Sequence, residues 1–338
     1  MKTVQYSTQG DSSVLSVVQS EPGTPGAGDV RVQIVVSGVN PADWQTRAGV
    51  EGPMPFPIIV PGLDGAGIVD EVGAGVTHVR AGDRVWLFLA EGLTGTAQES
   101  VVAPATLVVR LPDSASFEVG ASLGVPALTA HRALTTHDQG PARLSAGALD
   151  SRTVLVAGGA GAVGHAAIQL ARWAGATVIA TVSNAEKAEL ARAAGAHHVL
   201  RYSDDDIADQ LRTIAPDGVD HVVEVSPHVN AALDISVLAN HGCIAFYADL
   251  GGDDIAVPVV ESFAKNARWQ GLLMYNVGAP ARNAAVEDIT AALESHALPV
   301  GAEAGLPLTW FPLDDTGHAH DAVEQGLTGK ALIRLRDE

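Results

Sequence analysis

The segment Ala157-Gly158-Gly159-Ala160-Gly161-Ala162-Val163-Gly164 constrains this chain more than any other, because glycine recurs where a side chain would block the backbone path. An apolar run, Thr153–Ala157, leads into it, and a second apolar stretch, Ala162–Ala174, leads out at helical period. Strand, glycine turn and helix in that order make Gly159, Gly161 and Gly164 the G-x-G-x-x-G of a dinucleotide-binding unit. In this reading Gly159 permits the tight turn, Gly161 lets backbone approach a pyrophosphate, and Gly164 lets the helix lie close on the strand. The positive end of the helix starting near Ala162 then faces the phosphates.

The texture around this segment agrees with it. Strands are predicted at Thr153–Ala157, Thr177–Val182, His198–Leu200, Val219–Val225, His241–Ala248 and Trp269–Tyr275, with helices at Ala162–Ala174 and Ala185–Ala194 between the first three. Alternating strands and helices imply a parallel sheet with right-handed crossovers, here a six-stranded doubly wound one. The first ~115 residues read differently, as mostly β, with short β-branched runs such as Val30–Val36 and Gly67–Val72 punctuated by Gly and Pro. After Tyr275 come helices at Val286–Ser295 and Thr316–Gln325 and a closing strand at Ala331–Leu335. At 338 residues the chain is long enough for two domains, and Thr135–Arg152, rich in Gly, Ala, Pro and Ser, reads as an exposed linker or loop.

Composition removes several classes of function. No apolar run approaches the roughly 20 residues of a membrane span, and the N-terminus lacks the basic start and apolar core of a secretory signal, so a cytoplasmic location is expected. Cys243 is the only cysteine, which excludes an intrachain disulfide and a four-cysteine zinc site. Twenty basic residues against 39 acidic ones, net −19, repel nucleic acid and anionic membranes alike. A bound dinucleotide is itself an anion and needs a local positive site, and the chain has only four lysines. Where an NAD site usually places Asp or Glu, at the end of the second strand, this chain has Thr181-Val182-Ser183-Asn184. Ser183 is placed to donate a hydrogen bond to a 2′-phosphate and Lys187 to supply charge, which favours NADPH over NADH. Helix capping by Ser183 and a solvated Lys187 are compatible with the same role.

Val39-Asn40-Pro41-Ala42-Asp43, Pro61-Gly62-Leu63-Asp64-Gly65-Ala66-Gly67, Gly82-Asp83-Arg84-Val85, Leu128-Thr129-Ala130, the glycine motif, Gly195-Ala196 and Gly329-Lys330 occur in an order and spacing that run through nearly the whole chain. Taken together they resemble the zeta-crystallin-like, zinc-independent quinone oxidoreductases of the medium-chain dehydrogenase/reductase superfamily. The resemblance implies an α/β protein. A GroES-like, mostly β catalytic domain (1–127 and 276–338) would hold an inserted Rossmann NADPH-binding domain (128–275), with the active site in the cleft between them and dimerisation through the nucleotide-domain sheet. It implies cofactor contacts at Gly159, Ala160, Gly161, Ala162, Val163 and Gly164, at Ser183, Lys187 and Tyr202, and at Asn230, Tyr247, Ala248, Leu273, Met274, Tyr275 and Lys330.

Zinc-dependent relatives carry a cysteine soon after the early Gly-Val segment and a His-Glu pair in the second glycine block, where this chain has Asn40 and Leu63-Asp64. No metal is expected, and the pairs His197-His198 and His318-Ala319-His320 read as solvated. Without a Lewis acid to lower an alcohol's pKa, reduction of a quinone or an activated alkene becomes the better assignment. Asn40 is expected to contact the acceptor's oxygen and Thr129 the nicotinamide, with Trp44, Gln45 and His131 lining the substrate pocket. Asp43 and Asp64 are expected to shape turns or ion pairs. Gln45 departs from the aromatic residue the family often has there, and the Thr135–Arg152 stretch is longer than usual for it, which leaves the substrate open; His131 stands where the family often has tyrosine. An enoyl reductase of secondary metabolism and an NADPH-binding sensor or structural protein without turnover stand as alternatives.

Overall fold

A computed structural model describes residues 1–50, 52–89, 94–203, 206–248, 252 and 254–336. β1 (Lys2–Gln5) and β2 (Ser16–Gln19) form an antiparallel pair, followed by β3 (Asp29–Val39), α1 (Pro41–Ala48), β4 (Asp64–Val72), β5 (Arg84–Phe88), β6 (Ser100–Pro104), β7 (Val108–Arg110) and the short α2 (Phe117–Gly120). β3, the longest of these, pairs with β4 on one side and β6 on the other, and its pairing with β4 carries two register shifts, one extra residue falling in each strand. Its inward residues Val30, Val32 and Ile34 meet Val69, Val85, Leu87 and Val101 in a dry core, all at most 2% exposed. Two late strands complete the sheet.

α3 (Gly124–Leu134) leads toward the alternating half: β8 (Thr153–Ala157), α4 (Ala162–Trp173), β9 (Thr177–Val182), α5 (Ala185–Ala193), β10 (His198–Arg201), α6 (Ile207–Ile214), β11 (Val219–Glu224), α7 (Pro227–Val237), β12 (Leu238–Phe246), α8 (Val259–Ala264), β13 (Arg268–Gly271) and α9 (Ala279–Glu294). Its six strands are all parallel, in the order β10-β9-β8-β11-β12-β13, so the strand order reverses between β8 and β11. Leu155, Ile179, Val222 and Ile244 fill the core on one face. The chain ends with β14 (Leu308–Pro312), α10 (Thr316–Glu324) and β15 (Lys330–Arg334). β15 pairs antiparallel to β3, making the first sheet seven-stranded.

By internal contacts the chain divides into Met1–Val125 with Pro307–Glu338, and Pro126–Leu306. The return to the first unit therefore falls at Pro307 and not at 276 as expected. α9 accounts for the difference: it buries Ala285, Ile289, Ala292 and Leu293 within the second unit, and its Asp288 is tied there to His131, Arg143 and Leu144. The stretch 135–152 also differs from expectation. It lacks regular structure but is no exposed linker, because Leu144 and Leu149 are 2% and 1% exposed and Leu149 N–H donates to the Ala174 carbonyl at 2.6 Å.

Candidate functional site

In the second unit the topology alone gathers most of the expected residues. Gly158–Gly164 follow β8, Ser183 follows β9, Tyr202 follows β10, Tyr247 and Ala248 follow β12, and Leu273–Tyr275 follow β13. All lie beyond the carboxyl ends of parallel strands, at the edge where a doubly wound sheet receives its ligand beside the strand-order reversal.

The glycine turn divides its work somewhat differently from expectation. The left-handed backbone sits at Gly158 (φ +68°), not at Gly159. Gly159 is required for closeness instead, since a Cβ there would stand 2.8 Å from the Ala180 Cβ. Gly164 is tighter still: a Cβ would lie 2.3 Å from the Gly158 carbonyl oxygen, which is what brings α4 down on β8. At Gly161 the nearest atom to a Cβ would be 3.4 Å away, so the space beside it is open. Gly161 is exposed and Ala162 and Val163 are half-buried, leaving the first turn of α4 accessible with its backbone donors. This cradle fits a dinucleotide pyrophosphate.

At the next strand, Asn184 and not Ser183 caps α5, its side chain accepting from Lys187 N–H at 2.9 Å. Ser183 is half-buried, and among the described residues neither its hydroxyl nor the Lys187 ammonium has a hydrogen-bond partner or ion pair. Tyr202 is 54% exposed, with its N–H bonded to the Val182 carbonyl at 3.1 Å. A hydroxyl and an exposed ring thus follow adjacent strand ends, and the ammonium lies in the first turn of the intervening helix α5. Leu273 is exposed, Met274 is 5% exposed, and Tyr247, Ala248 and Tyr275 are half-buried.

Two carboxylates that sequence reasoning passed over lie beneath this edge. Glu224, the last residue of β11, is fully buried and accepts from Ser226 N–H and from Asn230 Nδ2 at 3.1 and 3.2 Å. Asp234, one turn further along α7 from Asn230, is 1% exposed and shares a hydrogen bond with Glu224. Burial raises both acids above the usual carboxylate range; the Glu224 charge and the shared hydrogen bond raise Asp234 further, whereas that bond lowers Glu224, so the proton of the pair sits on Asp234. Asn230, expected at the cofactor, is therefore anchored by Glu224 from below. The one available signal was the acid ending the run Val219–Glu224.

In the first unit Asn40 precedes α1, and its N–H donates to Asp43 Oδ2 at 2.7 Å. Asp43 Oδ1 accepts from Gly62 and Leu63 N–H at 3.0 and 3.2 Å, which fixes the second glycine block against α1. The Asn40 amide spans an ion pair: Lys330 Nζ donates to Asn40 Oδ1 at 2.7 Å and to Asp64 Oδ2 at 3.1 Å, while Asn40 Nδ2 donates to Asp64 Oδ2 at 2.8 Å. Asp64 Oδ1 takes Val125 N–H at 2.7 Å. All three side chains are at most 2% exposed. Lys330, expected at the cofactor, is instead committed to this centre, because a buried ammonium requires a carboxylate partner. Asn40, expected to face the acceptor, keeps only its second Nδ2 hydrogen for a ligand.

Other expected pocket residues fall elsewhere. Ala42, Asp43 and Thr46 of α1 line a cavity of about 170 Å³, whereas Trp44 and Gln45 are half-buried on the same helix and do not line it. In the second unit Thr129 is 6% exposed on α3. His131 is 1% exposed, and its Nε2 lies 2.7 Å from Asp288 Oδ2, so the imidazole is a packing partner of α9 and not an open pocket wall. Asp288 also receives Arg143 Nε and Leu144 N–H, and these contacts hold its carboxyl below the usual range despite its burial. Among the described residues no group of three or more His, Cys, Asp or Glu side chains converges as a metal site.

Comparison with known proteins agrees with both units. Residues 26–113 match the alcohol dehydrogenase GroES-like domain and residues 162–293 the zinc-binding dehydrogenase family. The chain is 35% identical over 245 residues to a 2-haloacrylate reductase of a Burkholderia species, covering 71% of this chain and 70% of that one. It is 29% identical over 322 residues to the quinone oxidoreductase of Sus scrofa, covering 92% and 90%. A mycobacterial structure solved in complex with NADPH superposes with a TM-score of 0.83 at 28% identity, covering 99% of this chain and 100% of that one. The chain belongs to the zeta-crystallin-like quinone oxidoreductase family of the medium-chain dehydrogenases/reductases.

Proposed function

We propose that this protein is an NADPH-dependent reductase that passes hydride to a quinone or an α,β-unsaturated carbonyl without zinc. The observation that carries the reading is the β9–α5 junction, where Ser183 after the strand and Lys187 in the first turn of the helix have no side-chain partner among the described residues, and where the strand ends on Val182 and not on an Asp or Glu. When bound, NADPH supplies the hydride. Gly161, Ala162 and Val163 would hold its pyrophosphate on backbone donors, Ser183 and Lys187 its 2′-phosphate, and Tyr202 its adenine by stacking. Asn230, held by Glu224, would contact the half of the cofactor nearer the switch point. Solved relatives described as NADPH complexes support this choice.

Zinc independence is supported by the chemistry of the Asn40 centre. The places of the cysteine and the His-Glu pair are taken by an amide, Leu63 and a carboxylate already paired with an ammonium. A fixed cation within hydrogen-bond reach of both polar side chains opposes a second one. The acceptor class is supported by relatives named as quinone oxidoreductase and 2-haloacrylate reductase.

The test is NADPH absorbance followed with ortho-quinones, alkenals and simple alcohols, with and without chelator. Turnover of quinones or alkenals that ignores chelator is expected; alcohol oxidation abolished by chelator would overturn the zinc-free reading. Lys187→Ala is expected to lower the NADPH:NADH affinity ratio about tenfold, the scale of one charge-assisted hydrogen bond, and an unchanged ratio would remove the phosphate grip.

We also propose a homodimer through the edge strand β13. Beside it Val257, Val259, Val260, Phe263 and Leu273 are 40% to 68% exposed, an apolar patch on an open sheet edge. Sedimentation should show a dimer that Phe263→Glu converts to monomer.

A further inference from the structure

Asp234 has no part in the roles assigned above, yet it stands where it acts on one of them. Asn230 and Asp234 are four residues apart on α7, which sets both side chains on the face that meets the end of β11. Glu224 closes that strand at 0% exposure. Its carboxyl accepts from Ser226 N–H and, with both oxygens, from Asn230 Nδ2 at 3.1 and 3.2 Å. Asp234, 1% exposed, shares a hydrogen bond with the same carboxyl.

No N–H or O–H donor reaches Asp234 Oδ2. A buried carboxylate oxygen requires a donor, whereas a carboxylic acid brings its own proton. The missing donor therefore agrees with a proton on Asp234, given to Glu224, and with a charge on Glu224. Neither acid has an ion pair with Lys, Arg or His among the described residues. The Tyr247 phenol, raised by burial and by the Glu224 charge, stays neutral beside them.

A charged Glu224 decides which way the Asn230 amide turns. An ionised carboxylate only accepts, so the amide must give its NH2 group to Glu224 and turn Oδ1 away. That oxygen has no partner among the described residues, and Asn230 is half-buried, not sealed. An acceptor so placed requires a donor from its ligand. On a dinucleotide the phosphates and ring nitrogens accept, whereas the ribose hydroxyls and the amide N–H groups donate.

We propose that Glu224 and Asp234 are positioning residues for the cofactor: the acid pair locks the rotation of the Asn230 amide, so that Oδ1 receives a ribose hydroxyl of the dinucleotide. The identity of the ligand rests on the cofactor reading above; the lock itself does not.

NADPH titrations of the full chain test this with a double-variant cycle. Asp234→Leu removes the donor and is expected to weaken NADPH about fivefold, the scale of one net hydrogen bond; Asp234→Ala replaces it if the leucine unfolds the chain. Asp234→Asn puts an N–H where the acid has its O–H and should stay within about twofold of wild type. In an Asn230→Ala background Asp234→Leu should add nothing, whereas a merely structural role would add its full loss again. Asn230→Ala should cost as much with the 3-acetylpyridine analogue of NADPH, whose acetyl group lacks the carboxamide N–H. No loss in Asp234→Leu, additive losses, or no recovery in Asp234→Asn overturns the lock; an Asn230→Ala loss that vanishes with the analogue overturns the ribose assignment. The Asn230 side-chain amide signals in NMR of asparagine-labelled protein, identified by their absence in Asn230→Ala, read the lock without ligand. They should coincide in wild type and Asp234→Asn and move toward the free-amide position in Asp234→Leu; signals indifferent to Asp234→Leu overturn the lock. Failure of wild type to bind NADPH sinks the cofactor reading and the ribose assignment with it, and these signals then decide the lock alone.

Discussion

Lys330 places an ammonium in the interior at 2% exposure, and its tolerance there depends on Asp64 at 3.1 Å and Asn40 at 2.7 Å. Lys330→Met keeps the apolar stem and removes the charge, leaving Asp64 buried and unpaired. It is expected to destabilise the fold by about 3–5 kcal/mol. Adding Asp64→Asn should recover a good part of that loss, because the pair then leaves together; denaturant unfolding of the two single variants and the double variant checks it. If the double variant is no better than Lys330→Met, the ammonium and carboxylate are not coupled as drawn. This centre was only half legible in the sequence. Asn40, Asp64 and Lys330 each belong to a recognisable block, but Lys330 and Asn40 are 290 residues apart, and only the antiparallel pairing of β15 with β3 brings them together. His131 shows the same limit, since its partner Asp288 lies on a helix expected in the other domain.

Elements were more legible than partnerships, for a physical reason. Strand and helix period, glycine turns and caps are written within a few residues, and β8 (Thr153–Ala157) and β9 (Thr177–Val182) have the expected bounds. The expected strand Trp269–Tyr275 is shorter, Arg268–Gly271, because an apolar run does not show where pairing ends; Met274–Asn276 forms a 3₁₀ turn instead. The β8–α4 turn gives a contrast that separates folding from binding. Gly164→Ala would set a Cβ 2.3 Å from a backbone oxygen, so α4 must lift, and both thermal stability and NADPH affinity should fall. Gly161→Ala meets nothing nearer than 3.4 Å at φ −81°, so the midpoint of thermal unfolding should stay within about 2 °C of wild type while NADPH affinity drops at least about tenfold. Equal losses of affinity and stability at Gly161 would mean that the open space beside it is not where the pyrophosphate lies.

At the scale of the whole molecule, buried titratable groups of opposite sign are set against each other within one unit. His320 is 1% exposed, and burial, aided by the nearby Arg47 charge, depresses its pKa to about 3. Its folded form resists a proton that the unfolded chain accepts near 6.5, so it lowers stability as pH falls below that value. Asp43 acts in the other direction: burial raises its pKa to about 6 against 3.8, so the folded form gains a proton first and stability rises as pH falls from about 6 toward 4. Each group contributes about 1.4 kcal/mol per pH unit within its window, and between pH 6 and 4 the two slopes nearly cancel. Hydrogen exchange on the full-length protein, followed over segments of the first unit, should therefore show little change in opening free energy attributable to this pair across that range. His320→Leu removes one side of the balance. The same segments should then become more stable on acidification relative to wild type, by about 1.4 kcal/mol per pH unit. Parallel pH profiles for variant and wild type would mean that His320 is protonated in the folded protein and that burial does not set its charge.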